Sequence, residues 1–323
     1  MQCTARIIAG ALCLLSTPAF AQPAAIDLPN PKAFPESISI AADGKAYVSS
    51  LSGGVSRVDL ATGRVEPFIA PGAYGSASIF GVLADTAHGM LWVCSNSLAR
   101  AGVTIEGADA GSALKGFDLA TGEGKVSVAL PGEQALCNDM AVAPDGAVYV
   151  TDTTTSKILR WRPGATALET WLADPKLARG GGTSGLDGIA FGGDGNLYVN
   201  NFQSNIFARV AVKPDGTAGG VTVLETSRAF AAPDGLRPLG DLRFIQAEGA
   251  GRIALLTVTG DKVQVDTLAA DLSSATGVDA SDGTAWYVQG QVGYVFNPTL
   301  RGQTPPIPFR VTPIALSQQP HHH

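Results

Sequence analysis

Charge is scarce in this chain: only 15% of its 323 residues are Asp, Glu, Lys or Arg, and no run of Lys or Arg occurs. With a net charge of −6, nucleic acid is not an expected partner, because holding phosphates needs a basic face. Histidine is nearly missing. Outside the terminal His321-His322-His323 there is only His88, in a turn phrase. That excludes a three-His zinc site and all but excludes a Ser-His-Asp triad. Helical periodicity of useful length is lacking, and so is any apolar run long enough to cross a bilayer, which takes about 20 residues. The longest, Ile7 to Leu15, follows Arg6 and precedes Ala19-Phe20-Ala21 and Gln22, the three parts of a secretory signal over residues 1–21. Export, periplasmic or secreted, is the expectation, with no membrane partner once the signal is cleaved. Cysteines are few as well. Cys3 and Cys13 leave with the signal, so Cys94 and Cys137 remain as an even pair in an oxidising compartment.

What the chain does have is hydrophobic residues, 45% of the total, ample for a core, and a repeated phrase. Its clearest copy is Cys137 to Asp152: a polar residue, an alternating strand, the turn Pro144-Asp145-Gly146, and a second strand. Copies start near 36, 80, 138, 187, 234 and 276, a spacing of 42 to 58 residues. Two of them close on the same words, Asp59-Leu60-Ala61-Thr62-Gly63 and Asp118-Leu119-Ala120-Thr121-Gly122. In the last copy, Val292 to Phe296 reads as a third strand and Phe309 to Leu316 as the outermost. Four short strands per repeat is the signature of a propeller blade. The expectation is an all-β, six-bladed β-propeller over residues 36–317. A Pro-rich extended lead-in (22–35) precedes it, and a disordered tail (318–323) follows.

In a propeller the innermost strands begin at one mouth of a central channel, so the residues that open the units converge there. The six openers are Glu36, Phe80, Asn138, Asp187, Asp234 and Thr276. Glu36, Asn138, Asp187 and Asp234 each stand seven residues before the Asp of the following turn, or its equivalent, so they share one register. Three carboxylates aimed at one axis repel each other unless something compensates them. A divalent cation would, and oxygen-only ligands favour a hard ion. The alternative is that these residues only cap strand ends or hold water. Without histidine, hydrolysis would fall to a metal and carboxylates, the metal polarising a carbonyl and a carboxylate taking a proton from water.

The phrases Glu36-Ser37-Ile38, Cys137-Asn138-Asp139, Asp187-Gly188-Ile189-Ala190-Phe191 and Pro233-Asp234-Gly235-Leu236 resemble the SMP-30/gluconolactonase/luciferin-regenerating-enzyme family across nearly the whole mature chain. The resemblance implies six blades and one divalent metal held in the channel by a Glu, an Asn and an Asp. Those roles fall on Glu36, Asp187 and Asp234, with Asp234 also the general base. Asn138 matches a family Asn beside the metal that contacts substrate or water. Calcium is the first choice of ion, with zinc, magnesium and manganese as alternatives. The chain departs from the family twice. Asp187 stands where the family has Asn, which adds a negative charge. Leu136 stands where sugar lactonases carry an Arg, a lost donor that Arg237 or Arg179 could replace.

Leu136 and Phe80, with Asn138 and Asp139, are therefore expected to face a less polar small-molecule substrate than a sugar lactone. On the propeller, Cys94 and Cys137 fall at the same mouth on neighbouring blades, either as a disulfide or as two buried thiols. Gly180-Gly181-Gly182 reads as a flexible loop, since no helix follows to make a phosphate cradle. The function expected is an exported divalent-metal-dependent hydrolase of a lactone or ester. The rival is a non-catalytic propeller that binds a small molecule or a protein, and a quinone-cofactor dehydrogenase ranks last.

Overall fold

Tight turns punctuate the chain every few residues, and the strands between them assemble into six small antiparallel sheets. The computed structural model describes residues 23–178 and 185–316. The signal reading at 1–21, Arg179, the glycines at 180–182 and the tail at 318–323 lie outside the described residues. Blade 1 consists of Ile38–Ile40, Lys45–Ser49, Val55–Asp59 and Val65–Ile69, and blade 2 of Ser78–Asp85, Met90–Asn96, Ser112–Asp118 and Gly124–Ala129. Blade 3 consists of Cys137–Val142, Val148–Asp152, Lys157–Trp161 and Glu169–Ala173, and blade 4 of Leu186–Phe191, Leu197–Asn201, Ile206–Val212 and Ala218–Val223. Blade 5 runs Pro233–Pro238, Arg243–Glu248, Arg252–Thr259 and Lys262–Ala269, with Glu225–Thr226 added parallel at its rim. Each innermost strand packs against those of both neighbouring blades, and blade 6 against blade 1, which closes a six-bladed β-propeller.

Blade 6 differs from its sequence reading. Its strands are Ala275–Ser281, Thr284–Gln289 and Arg310–Ala315, and the fourth is Ile26–Asp27 from the lead-in. Ile26 pairs with Val311 and Asp27 with Arg310, so part of the extended lead-in serves as a strand of the last sheet. Residues Val292 to Phe296 are not a strand. Gly293–Phe296 forms one helical turn in the long connection between Gln289 and Arg310.

Packing follows the alternation. One face of each strand meets the blade before it and the other the blade after, giving six buried apolar clusters, one at each blade interface. The repeated closing phrase has a local cause. Asp59 Oδ1 accepts from the backbone N–H groups of Ala61 and Thr62 (3.1 and 2.9 Å), and Asp118 Oδ1 from those of Ala120 and Thr121 (3.0 and 2.9 Å), the same Asx turn twice. His88 sits in the turn after blade 2's innermost strand, with Nδ1 2.9 Å from Asp85 Oδ2, at the far end from the openers. Among the described residues no helix is long and apolar enough to cross a membrane.

Candidate functional site

Five of the six innermost strands carry a bulge at their opening. In blade 3, Cys137 pairs with Asp152 and Met140 with Val150, so one extra residue lies on the inner strand. The same slip separates Leu186 from Ile189, Pro233 from Leu236, Ile79 from Val82, and Ala275 from Gly277. A bulge bends a strand and re-aims the side chains within it. The residues so placed are Asn138, Asp187, Asp234, Phe80 and Thr276, with Glu36 at the equivalent point just ahead of Ile38. These are the six openers.

Backbone N–H groups at this level, beside the bulges of blades 3 and 4 and at the equivalent point of blade 1, are taken up by polar residues on the second strand. Ser37 N donates to Ser49 Oγ (2.9 Å), Asp139 N to Thr151 Oγ1 (3.0 Å) and Gly188 N to Asn200 Oδ1 (2.8 Å). Each pair is twelve residues apart. One position beyond the openers, four blades carry glycine. A Cβ on Gly188 would lie 2.6 Å from Asp234 O, on Gly235 2.7 Å from Thr276 O, and on Gly277 2.8 Å from Ser37 Cα. Neighbouring inner strands approach that closely around the axis, and a side chain there would push them apart.

The oxygen donors from four blades meet. Glu36, Asn138 and Asp187 are buried, while Asp234 stays partly exposed. Asn138 Nδ2 donates to Asp187 Oδ2 (3.1 Å) and to Thr153 Oγ1 (2.9 Å), which leaves its amide oxygen as the atom to offer a ligand. Burial, then the Asp139 charge, push the Asp187 carboxyl up to about 8, against the pull of hydrogen bonds with Asn138 and Asp234. Glu36 is raised well above the carboxylate range by burial and by the charges of Asp187 and Asp139, with Arg237 opposing them. Asp234 is raised by burial and then by Asp187 and Glu36. Each of the three carboxyls is thus biased toward its protonated form when no cation is bound.

Beneath lies a residue whose role the sequence does not reveal. Arg237 is not a mouth-loop donor that replaces the missing arginine at Leu136. It is buried on the axis, and its Nη1 donates to Asp139 Oδ2 (2.7 Å) and Leu236 O (2.8 Å). Its Nη2 donates to Val82 O (2.9 Å) and Ser37 Oγ (3.2 Å). One guanidinium therefore joins blades 5, 3, 2 and 1. Asp139, expected to face substrate, is instead held in this clasp, although its Oδ1 has no hydrogen-bond partner among the described residues. Asp279, one blade on, accepts from Ile40 N (2.7 Å).

Phe80 is buried and packs beneath Phe296, with ring centroids 6.3 Å apart. Leu136 is partly buried against the same apolar cluster. Cys94 and Cys137 are joined by a disulfide, Cα atoms 5.0 Å apart, directly before Asn138.

The donor chemistry, three carboxylates and an amide oxygen, suits a hard divalent cation. The cage is not preformed: among the described residues no group of three or more His, Cys, Asp or Glu side chains is arranged to hold a metal ion.

Residues 19–58 match the family model described as strictosidine synthase-like, N-terminal. No curated protein matches the chain in sequence. Solved structures share the fold. The major allergen Mala s 1 of Malassezia sympodialis aligns with a TM-score of 0.69 at 15% identity, over 94% of this chain and 99% of that one. The calcium-binding protein regucalcin from Agrobacterium tumefaciens aligns with a TM-score of 0.62 at 15% identity, over 91% and 95%. A protein assigned to the gluconolactonases aligns with a TM-score of 0.61 at 18% identity, over 92% and 94%. These neighbours support the resemblance to the gluconolactonase-type propellers. At such identities the likeness is one of fold.

Proposed function

We propose that this propeller is an exported, divalent-metal-dependent hydrolase of a small lactone or ester, working at the mouth of its central channel. The observation that carries the reading is the meeting of Glu36, Asn138, Asp187 and Asp234 from four blades, with all three carboxylates raised by burial and mutual repulsion. Glu36, Asp187 and Asp234 would hold the ion, and the Asn138 oxygen would complete the set. A divalent cation there supplies Lewis acidity toward a carbonyl oxygen. Calcium is the first candidate, by the oxygen donors and by the regucalcin likeness.

The chain's own groups do the rest. Asp234 is the most open of the three carboxylates, and Gly235 N–H fixes its Oδ1 at 2.9 Å. In this reading it takes a proton from an attacking water. Asn138, anchored through Thr153, orients a substrate oxygen beside it. Below them the buried Arg237–Asp139 pair ties the inner strands of blades 5 and 3 together.

Metal analysis of the purified protein, coupled to a screen of lactones and aryl esters, tests the reading. One bound divalent ion per chain and turnover abolished by a chelator are expected. Turnover that survives the chelator overturns the mechanism. A protein that turns over nothing, and whose ligand binding survives Asp234→Ala, belongs to the rival reading of a non-catalytic binding propeller.

A further inference from the structure

One wall of the mouth is apolar, and it is built by a segment far away in sequence. Gly290 leaves blade 6 hard against its opener: a Cβ there would lie 2.7 Å from Pro35 O and 2.9 Å from Thr276 Oγ1. The chain then makes the turn Gly293–Phe296 and reaches the insertion of blade 2, where the Arg301 side chain lies beside Gly102. It therefore bridges from blade 6 to blade 2, past blade 1 and its opener Glu36. Val295 is buried, and Val292 packs in the same cluster as Phe80 and Leu136. Phe296 lies over Phe80 yet remains 41% exposed. Tyr74, the other large exposed hydrophobic among the described residues, has the Lys115 ammonium 5.5 Å from its ring. Among the described residues no cation lies over the Phe296 ring.

Phe80 occupies in blade 2 the bulge position that Asn138, Asp187 and Asp234 occupy in blades 3, 4 and 5. Gly81 beside it abuts Asn138 O, so the apolar wall continues directly into the donor set. We infer that Phe80, Phe296, Leu136 and Val292 form an apolar subsite for the alkyl or aryl arm of the substrate, whose carbonyl end meets the carboxylates. This rests on the hydrolase reading only for the reactive end. A sugar lactone, hydroxylated all round, would leave hydroxyls without partners against this wall.

The test is calorimetric titration, with calcium present, of γ-lactams carrying hydrogen, methyl, butyl and octyl arms, chosen because they resist hydrolysis. Affinity should rise with arm length, by up to about fourfold per methylene. Phe296→Ser should flatten that slope and Phe296→Leu should keep most of it. Phe296 is exposed, so both variants should fold, which circular dichroism checks. A flat or absent response in the wild type, or a slope that survives Phe296→Ser, overturns the subsite. Parallel turnover of the matching lactones separates the two proposals. A rising lactam series with no lactone hydrolysed sinks the enzyme reading and leaves the subsite. Chelator-sensitive turnover that is indifferent to arm length, with a flat lactam series, does the reverse.

Discussion

Asp187 is the residue on which the electrostatics of the channel turn. Its carboxyl, at about 8, holds a proton in the folded protein that the unfolded chain releases near pH 4. Glu36 and Asp234 are raised in the same direction. The folded state therefore binds more protons than the unfolded one between about pH 4 and pH 8. In the absence of divalent ions the Asp187 contribution to stability should fall across that window, by about 1.4 kcal/mol per pH unit, with Glu36 and Asp234 acting in the same direction. Added calcium should displace those protons, so its stabilising effect should be larger at pH 8.5 than at pH 5.5. Thermal melts in chelator and in calcium at both values check this; an equal calcium shift at both would contradict it. Asp234→Asn should lower turnover by about 10²-fold or more, the usual yield of a positioned base, and steady-state kinetics on the lactone found in the screen reads it. Arg237→Met would strand Asp139 as a buried, uncompensated charge, a loss of about 3–5 kcal/mol. The double variant with Asp139→Asn should recover much of that, and chemical denaturation of the four proteins measures the coupling.

The recurring element is the bulged inner strand, and it shows both what sequence reveals and where it stops. The turns at Asp43-Gly44, Pro144-Asp145-Gly146 and Asp194-Gly195 are local chemistry, so blade number and the register of the openers can be read directly. The bulges cannot. One extra residue beside Asn138 or Asp187 shifts the alternation by one place, but these strands are buried on both faces, so only pairing with the next strand exposes it. The clasp of Arg237 on Asp139 joins residues 98 apart and has no local signal. Tyr294-Val295-Phe296 reads as a strand because aromatic and β-branched residues favour one, yet packing over Phe80 turns it into a helical turn. The two-residue strand Ile26–Asp27 is too short to show a period at all. The glycine found at four of the five bulges makes the element testable. Gly235→Ala places a methyl 2.7 Å from Thr276 O, and overpacking of this kind costs about 1–3 kcal/mol. Gly89→Ala, at a turn with open space around its Cβ position, pays only for its positive φ and serves as the comparison in denaturant melts.

At the scale of the whole molecule, six similar interfaces share the core, so no single sheet stands alone. The Cys94–Cys137 bond ties blade 2 to blade 3 across 43 residues. By loop entropy it stabilises the fold by about 4 kcal/mol, so the double Cys→Ser variant or strong reductant should lower the melting temperature with the propeller still formed. The pairing of Ile26–Asp27 with Arg310–Ala315 has a consequence for the order of events in the cell. A chain growing from its N-terminus carries Ile26–Asp27 unpartnered until the last described strand, Arg310–Ala315, has left the ribosome. The ring cannot be sealed before Arg310–Ala315 has been made, so the growing chain keeps an open sheet throughout the synthesis of the five blades between.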